Sequence, residues 1–447
     1  MHMKKWNLSC FTNIIKCKSG DILLHNSYMG AVARIPARLS KNITRFFQKG
    51  INSSDIDNRY LKELCEQGFF VDSDLDERRI VTEELDKERD STRFNLIILP
   101  HENCNFRCVY CYEKFERGRM KEGIGNALKI FVNNNIKEYK GLTVGWFGGE
   151  PLLASDIIYE LSDAFIKSCI KNNVTYTSGG MTTNGYLLTS NVVDELFKYR
   201  IKNFQVTLDG PASIHDRYRK LAGGGKTYEK ILNNLIDMRN RNDEFRVRIR
   251  INFNENSLPL IEQWLDDEIA PLFANDSRFT LYFEPIGNWG GSNDAVVYAC
   301  DSKVASPTKF IKKTQLLGFS DEAIKDFLRP HGQVCYAGRK SSIIVGSDGI
   351  VYKCTVAFDD PRNVVGHMAR DGQLVLDKTL WDMWTGIDKK DTSWCNLCKF
   401  FPCCQGRKCP LSTINFNKPI CPMTRKEYEA LVKLLACGEP LRFDTPL

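Results

Sequence analysis

Phe94-Asn95-Leu96-Ile97-Ile98-Leu99-Pro100-His101-Glu102-Asn103-Cys104-Asn105-Phe106-Arg107-Cys108-Val109-Tyr110-Cys111 is an apolar run that empties into a loop with three cysteines spaced CxxxCxxC. The run has the length and composition of a buried strand. Three thiolates on so short a loop can converge on one cuboidal iron–sulfur cluster and leave its fourth iron without a protein ligand. The spacing also suits a zinc loop or three unrelated buried thiols. A strand that delivers such a loop fits βα architecture, where chemistry collects at the C-terminal ends of the strands.

Working outward, five further strand-like runs follow: Leu142 to Phe147, Thr175 to Thr183, Asn203 to Leu208, Phe245 to Phe253 and Phe279 to Pro285. Helical patterns lie between most of them, at Gly123 to Lys137, Asp156 to Lys171, Asn191 to Tyr199 and Tyr228 to Asn240. Strands separated by helices predict a parallel, curved sheet over residues 93–290. Residues 1–92 mix short strands with amphipathic helices. Asn13 to Lys18 and Ile22 to Asn26 flank Ser19-Gly20-Asp21 as a hairpin. Ala37 to Phe47 and Ile56 to Gln67 read as helices, Gly68 ends the second, and Phe69-Phe70-Val71 resumes as a strand. The charged stretch Asp72 to Asp90 reads as a solvated helix and linker. Residues 291–447 lose this periodicity and gain cysteine, with ten of the seventeen falling from Cys300 to Cys437. A hairpin is expected over Ser342 to Tyr352. So little continuous apolar pattern calls for staples, and metal clusters would serve.

A chain of 447 residues exceeds one ordinary core, so two or three domains are expected. Hydrophobic residues at 43% and charged residues at 26% give a soluble globular balance. No run of about 18 apolar residues predicts a membrane span, and Met1-His2-Met3-Lys4-Lys5-Trp6 lacks a signal core, so a cytoplasmic setting is expected. The formal charge of +7 treats every thiol as neutral, whereas each 4Fe-4S cluster on four thiolates carries about −2. Charges of both signs are interspersed, so no nucleic-acid partner is expected. Seventeen cysteines, an odd number, fit a disulfide framework poorly and metal binding well. Cys10, Cys17, Cys65 and Cys169 lack ligand spacing and read as ordinary buried thiols.

With Tyr110 before the last cysteine, CxxxCxΦC resembles the motif of the radical S-adenosylmethionine (SAM) superfamily, and residues 93–290 resemble its partial (β/α)6 TIM barrel, an α/β fold. The resemblance implies that Cys104, Cys108 and Cys111 are catalytic ligands of a SAM-binding 4Fe-4S cluster, with Tyr110 beside the cofactor. Trp146-Phe147-Gly148-Gly149-Glu150-Pro151 is similar to the family's GGEP element. Gly148, Gly149, Glu150 and Pro151 would then hold the methionine amino group, the glycines permitting close backbone approach. Thr182-Thr183-Asn184-Gly185 resembles the TNG element, which makes Asn184 a polar contact of SAM. Gln205-Val206-Thr207-Leu208-Asp209-Gly210-Pro211, with His215-Asp216 and Arg219, is similar to the DGPxxxHDxxR pattern of the peptide- and protein-modifying branch. It implies that Arg219 pairs with the SAM carboxylate and that Thr207 touches the same ligand. Plainer uses exist: a strand-to-helix turn for the glycines, an Asx turn for Asn184, a salt bridge for Arg219, a structural place for His215.

Cys335, Gly349-x4-Cys354, Cys395-x2-Cys398-x5-Cys404-x4-Cys409 and Cys421 resemble the SPASM domain. That resemblance implies two auxiliary 4Fe-4S clusters, one on Cys395, Cys398, Cys404 and Cys421, the other on Cys335, Cys354 and Cys409. The Cys404-x4-Cys409 spacing is one longer than usual, and Cys403 adjoins Cys404, so either could be the ligand. The fourth position of the second cluster is left to Cys403, Cys300, another group or none. Two zinc ribbons also fit CxxC pairs.

Residues 1–92, through the hairpin, the helices and Gly68-Phe69-Phe70-Val71-Asp72, resemble a RiPP recognition element, a winged helix-turn-helix-like domain that captures leader peptides. Capture would use β-augmentation, the leader adding a strand beside the hairpin sheet. A structural cap fits too, as does DNA binding, given Lys41, Arg45 and Lys49 on one helical face. Together the domains resemble radical SAM–SPASM peptide maturases. This implies hydrogen abstraction from a ribosomally synthesised precursor peptide with its leader, an intramolecular thioether or carbon–carbon crosslink, and a reductant such as flavodoxin or ferredoxin. One rival is an anaerobic sulfatase maturase, which makes formylglycine. That family places its cysteine motif near the N-terminus and an aspartate directly after the Gly-x4-Cys cysteine, where this chain has Thr355. The other is a non-catalytic iron–sulfur or zinc-stapled peptide-binding protein, which needs neither GGEP nor Arg219.

Overall fold

The computed structural model describes residues 5–89, 92–287, 308–320, 324, 328, 335–386, 395, 397–404, 409–418, 421, 423–436 and 441–442. Cys300 lies outside the described residues. The chain forms two compact units, each discontinuous in sequence. One gathers residues 1–89, 321–335 and 389–447, and the other residues 90–320 and 336–388. The cysteine-rich third region of the sequence is thus shared between them.

In the first unit, strands β1 (Lys5–Leu8), β2 (Thr12–Lys16), β3 (Ile22–Asn26), β4 (Val32–Ile35), β5 (Ile51–Asn52) and β6 (Phe70–Asp72) precede the barrel segment. They form a three-stranded sheet ordered β5-β1-β6 and a second sheet built on the antiparallel run β4-β3-β2. The predicted hairpin is β2–β3, with Ile14 opposite Leu24. The first predicted helix is interrupted, as Ala37–Thr44 and Phe46–Lys49. Asn58 caps the helix Arg59–Glu66 by accepting from the Tyr60 and Leu61 N–H groups. Gly68, at φ +75°, closes it in the conformation glycine tolerates. The core of this unit is Ile22, Leu24, Ile35, Leu39, Leu61, Leu64, Phe69 and Phe70 with their neighbours. The C-terminal cysteine segment lies against β2, where Lys399 Nζ donates to the Thr12 carbonyl at 2.9 Å. Of the four cysteines without ligand spacing, Cys169 is buried while Cys10, Cys17 and Cys65 are only half-buried.

His25, fully buried on β3, contacts Tyr428 Oη through Nδ1 at 2.5 Å and leaves Nε2 without a partner. Burial lowers its pKa to about 4. Below pH 6.5 the unfolded imidazole takes up a proton that the folded one refuses, so stability present above pH 6.5 is lost as pH falls towards 4. The full loss amounts to about 3 kcal/mol. Urea unfolding of the wild type at pH 6.5, 5.5 and 4.5 should show this slope, and His25→Gln should flatten it.

The second unit is built on one sheet. Strands β7 (Arg93–His101), β9 (Gly141–Gly148), β10 (Thr175–Thr183), β11 (Asn203–Thr207), β13 (Arg246–Phe253) and β14 (Phe279–Pro285) lie side by side in chain order, all parallel. Helices Glu122–Asn135, Ser155–Lys171, Ser190–Lys198 and Tyr228–Arg239 stand between them. Alternation is plain on β13. Val247, Ile249, Ile251 and Phe253 are buried, while Arg248 is exposed, Arg250 half-buried and Asn252 buried among polar groups. One face of the sheet is therefore apolar and the other carries polar side chains, unlike a closed barrel with a packed interior.

The predicted hairpin near residue 347 does more than punctuate the third region. Its first strand, β15 (Ser342–Val345), pairs in parallel with β7, Ile343 beside Leu96. The antiparallel strands β16 (Ile350–Tyr352), β17 (Val364–Met368) and β18 (Leu374–Leu376) extend the sheet to ten strands. Glu102 fastens this extension: it accepts from Ser347 N and Oγ, both at 2.7 Å, and pairs with Arg117 Nε at 3.0 Å.

Candidate functional site

The cysteine loop leaves the end of β7 and folds back as β8 (Phe106–Cys108), which pairs antiparallel with β12 (Arg219–Leu221). Cys108 stands directly opposite Arg219 in this ribbon. Two further backbone bonds, Val109 N to Tyr218 O at 2.9 Å and Ala222 N to Asn105 O at 2.7 Å, lock the register. Residues more than 100 positions apart are thereby adjacent. Phe106 N donates to Cys104 Sγ at 3.3 Å, and Cys111 N to Cys108 O at 3.1 Å.

Burial lifts the Cys104 thiol to about 12, helped by the Glu150 charge. Burial likewise raises Cys108 and Cys111, and Cys111 also feels the other two sulfurs. Thiols so shielded ionise far more readily beside strong positive charge, which a bound iron–sulfur cluster would provide. Among the described residues no three Cys, His, Asp or Glu side chains form a group that could hold a single metal ion. The donor set itself, three sulfurs on one loop, matches a cubane, in which each thiolate takes its own iron.

At the end of β9, the two glycines make a close approach, to the chain's own backbone. A Cβ on Gly148, at φ +128°, would stand 2.4 Å from the His101 carbonyl oxygen, and one on Gly149 would stand 2.6 Å from the Asn103 carbonyl. Glycine at these positions seats β9 against the loop that carries the cysteines. Gly149→Ala should lower stability by about 2 kcal/mol and loosen iron retention, as thermal melts and iron content would show.

Glu150 is fully buried. Its carboxylate accepts from Leu152 N at 3.0 Å, Thr183 Oγ1 at 2.8 Å and Asn184 N at 2.8 Å, tying the end of β9 to the end of β10. Desolvation raises its pKa while these donors oppose the rise. Pro151 opens the turn Pro151–Ala154 that follows. Asn184 extends Nδ2 to Asn105 Oδ1 at 2.7 Å and to Cys104 Sγ at 3.6 Å, so it stands at the first cysteine. Its own Oδ1 accepts from Tyr186 N, the Asx turn expected of it.

Arg219 is buried, and Nη1 donates to Tyr110 Oη at 2.8 Å while Nε has no partner. An unsatisfied buried guanidinium N–H beside the cysteine loop suits an anionic ligand. Thr207 ends β11, in register with Arg250. His215 is fully buried and accepts from Asp209 N through Nδ1 at 3.2 Å. Burial and Arg219 hold it well below the usual imidazole range. Cys104, Cys108, Cys111, Tyr110, the Gly148–Pro151 turn, Asn184, Thr207 and Arg219 all belong to the second unit.

Three residues outside the predicted set join this constellation. Asp209 and Asn252 bind Tyr110, and Glu113 follows the third cysteine. Burial and the Glu102 charge lift the Glu113 carboxyl to about 8. Alternation along the strand puts the polar Asn252 on the face shared by Arg248 and Arg250, but no spacing ties it to Tyr110.

The C-terminal cysteines divide. Cys354 is buried in the second unit, held through its N–H and C=O by Asn363. Tyr336 and Thr355, which follow Cys335 and Cys354, share a hydrogen bond at 2.7 Å. Cys335, Cys395, Cys398, Cys404, Cys409 and Cys421 belong to the first unit. There, among the described residues, Cys398 N donates to Cys395 O and Phe401 N to Cys398 O, and Cys404 N donates to Phe400 O at the short helix Phe401–Cys404. The Cys403 thiol points at the carbonyls of Ser27 and Leu328, at 3.2 and 3.3 Å.

Comparison with known proteins agrees with the barrel reading. Residues 98–251 match the Radical SAM superfamily. The chain is 28% identical over 158 residues to a cysteine-type anaerobic sulfatase-maturating enzyme of Clostridium novyi (strain NT), covering 34% of this chain and 42% of that protein. A serine-type enzyme of the same name from Bacteroides thetaiotaomicron is 25% identical over 164 residues, covering 35% and 39%. The match thus spans less than half the length of these curated relatives. The solved structure of native anSMEcpe with bound AdoMet and Cp18Cys peptide shares the fold, with a TM-score of 0.51, 19% identity, and 76% of this chain and 96% of that one covered. A radical SAM domain implies a 4Fe-4S cluster and SAM as cofactors.

Proposed function

We propose that this protein is a radical SAM peptide maturase that abstracts hydrogen from a ribosomally made precursor peptide and installs an intramolecular thioether or carbon–carbon crosslink. When bound, the cluster and SAM supply the 5′-deoxyadenosyl radical. Cys104, Cys108 and Cys111 hold the cluster. Glu150 receives the methionine amino group, Arg219 the carboxylate, Asn184 stands beside the first ligand, and the Gly148-Gly149 turn keeps these groups in one place. The observation that carries this assignment is the unpartnered Arg219 Nε, buried opposite Cys108 in the β8–β12 ribbon.

The C-terminal cysteines hold auxiliary 4Fe-4S clusters that take up the electron left after bond formation, or ligate a substrate thiol. Of the adjacent Cys403 and Cys404, Cys404 is the ligand we assign, because its spacing to Cys409 is the nearer to the family's. The first unit captures the leader peptide by β-augmentation. A sheet edge is what that mode needs, and among the described residues this unit contains a sheet with outer strands β2, met at Thr12 by Lys399, and β19 (Leu441–Arg442). Flavodoxin or ferredoxin would supply the reducing electron.

Formylglycine formation on a sulfatase is the second reading, and the curated relatives favour it. Against it stand the large leading segment and Thr355, whose N–H and Oγ1 both engage Tyr336 Oη where that family carries an aspartate. The deciding experiment is mass spectrometry of short cysteine-containing peptides encoded beside the gene, after anaerobic incubation with the reduced, reconstituted protein and SAM. Loss of a pair of hydrogens per modified site supports crosslinking. An aldehyde on a sulfatase-type peptide supports the second reading.

A further inference from the structure

We infer that Asn252 and Asp209 are positioning residues for SAM, acting through the hydroxyl of Tyr110 on Arg219. This rests on the SAM-binding part of the reading above and adds residues to it. Tyr110 fills the aromatic place between the second and third cysteines, where a ring alone would serve as an apolar wall. Its hydroxyl instead sits at a junction. It donates to Asp209 Oδ2, and accepts from Arg219 Nη1 at 2.8 Å and Asn252 Nδ2 at 3.1 Å. Asn252 also clasps Asp209 Oδ1, through its backbone N at 2.9 Å and Nδ2 at 3.0 Å. Asp209 is fully buried, Asn252 is 5% exposed and Arg219 6% exposed.

The junction decides how the guanidinium is presented. Tyr110 takes one end of the Arg219 fork, and the Phe106 ring lies 5.7 Å from Cζ. Nε is left unpartnered. A buried guanidinium needs a counter-charge. Asp209 supplies it at one remove, since the Tyr110 hydroxyl stands between carboxylate and guanidinium and keeps them from closing into a direct pair. Arg219 is thereby neutralised yet still able to receive a second carboxylate. Asn252 holds both members of the relay, so its amide fixes where Tyr110 Oη, and hence Arg219, can sit. β13 thus controls a ribbon made by β8 and β12, with no residue of β13 in contact with Arg219 required.

The test measures SAM affinity of anaerobically reconstituted full-length protein from the change SAM causes in the reduced-cluster EPR spectrum, with iron content and melting temperature as controls. Tyr110→Phe keeps the ring and removes the hydroxyl. Asn252→Leu keeps the volume and removes the donor. Each should weaken SAM binding about tenfold (~1.4 kcal/mol) with iron content unchanged. Because both act through one hydroxyl, the double variant should bind no more weakly than Tyr110→Phe alone. Overturning results are a change under twofold in Asn252→Leu, or full additivity of the two substitutions. If Asn252→Leu loses iron, Tyr110→Phe alone decides, by the same twofold limit. A wild type that shows no SAM-dependent spectral change overturns the functional reading itself, whereas an unaffected variant overturns only this inference.

Discussion

Cys108→Ala should reduce 5′-deoxyadenosine production from SAM by at least about 10³-fold, to the background of cluster-free protein, while the fold survives. The substitution removes one sulfur atom from a residue whose backbone is held independently by the β8–β12 ribbon. The packing cost is therefore small, about 1 kcal/mol. The chemical cost is total, because two thiolates do not retain a cubane that needs three. Chromatography of the nucleoside products, with iron content and a thermal melt, checks all three statements. Auxiliary iron should remain, since its proposed ligands lie elsewhere in the chain. Full retention of deoxyadenosine formation would show that the radical originates at other cysteines.

Glu150→Ala should be the most destabilising single substitution among the predicted site residues, by about 4 kcal/mol. Three buried donors, Leu152 N, Thr183 Oγ1 and Asn184 N, converge on this carboxylate. Removing it leaves each without an acceptor at about 1–3 kcal/mol apiece, partly relieved where Thr183 rotates. The melting temperature should fall by roughly 10 °C, and SAM binding should be lost with it. Glu150→Gln separates the two effects. Its amide oxygen can keep one or two of the three bonds, so stability should recover partially. Affinity for SAM should not recover, because a neutral amide cannot pair with an ammonium group. A Glu150→Gln variant that binds SAM normally would make this residue a brace for the two strand ends and nothing more.

The barrel segment was legible because its signals are local. Apolar runs and amphipathic periods depend on neighbours within about ten residues. Accordingly the strands β7, β9, β10, β11, β13 and β14 stand within a residue or two of their expected limits. The candidate site was half legible. Motifs name residues but do not say what touches what. The Gly148-Gly149 pair in sequence suggests close approach to a ligand, yet the near atoms are the carbonyls of His101 and Asn103. The motif places Tyr110 as an aromatic beside the cofactor, and the structure makes its hydroxyl the shared partner of Asp209, Arg219 and Asn252.

By itself, the sequence determined the parallel order of βα units, the loop of three thiols and the glycine-rich strand exits. Each is encoded by hydrophobic period, cysteine spacing or backbone freedom over short stretches. Only the tertiary structure decided that Ser342–Val345 joins the barrel sheet beside β7. It alone decided that Cys108 faces Arg219, and that the cysteine segment near Lys399 packs on β2. These pairings close loops of about 100 residues or more. Their partners are chosen by which edges and buried polar groups remain unsatisfied once the local elements have formed.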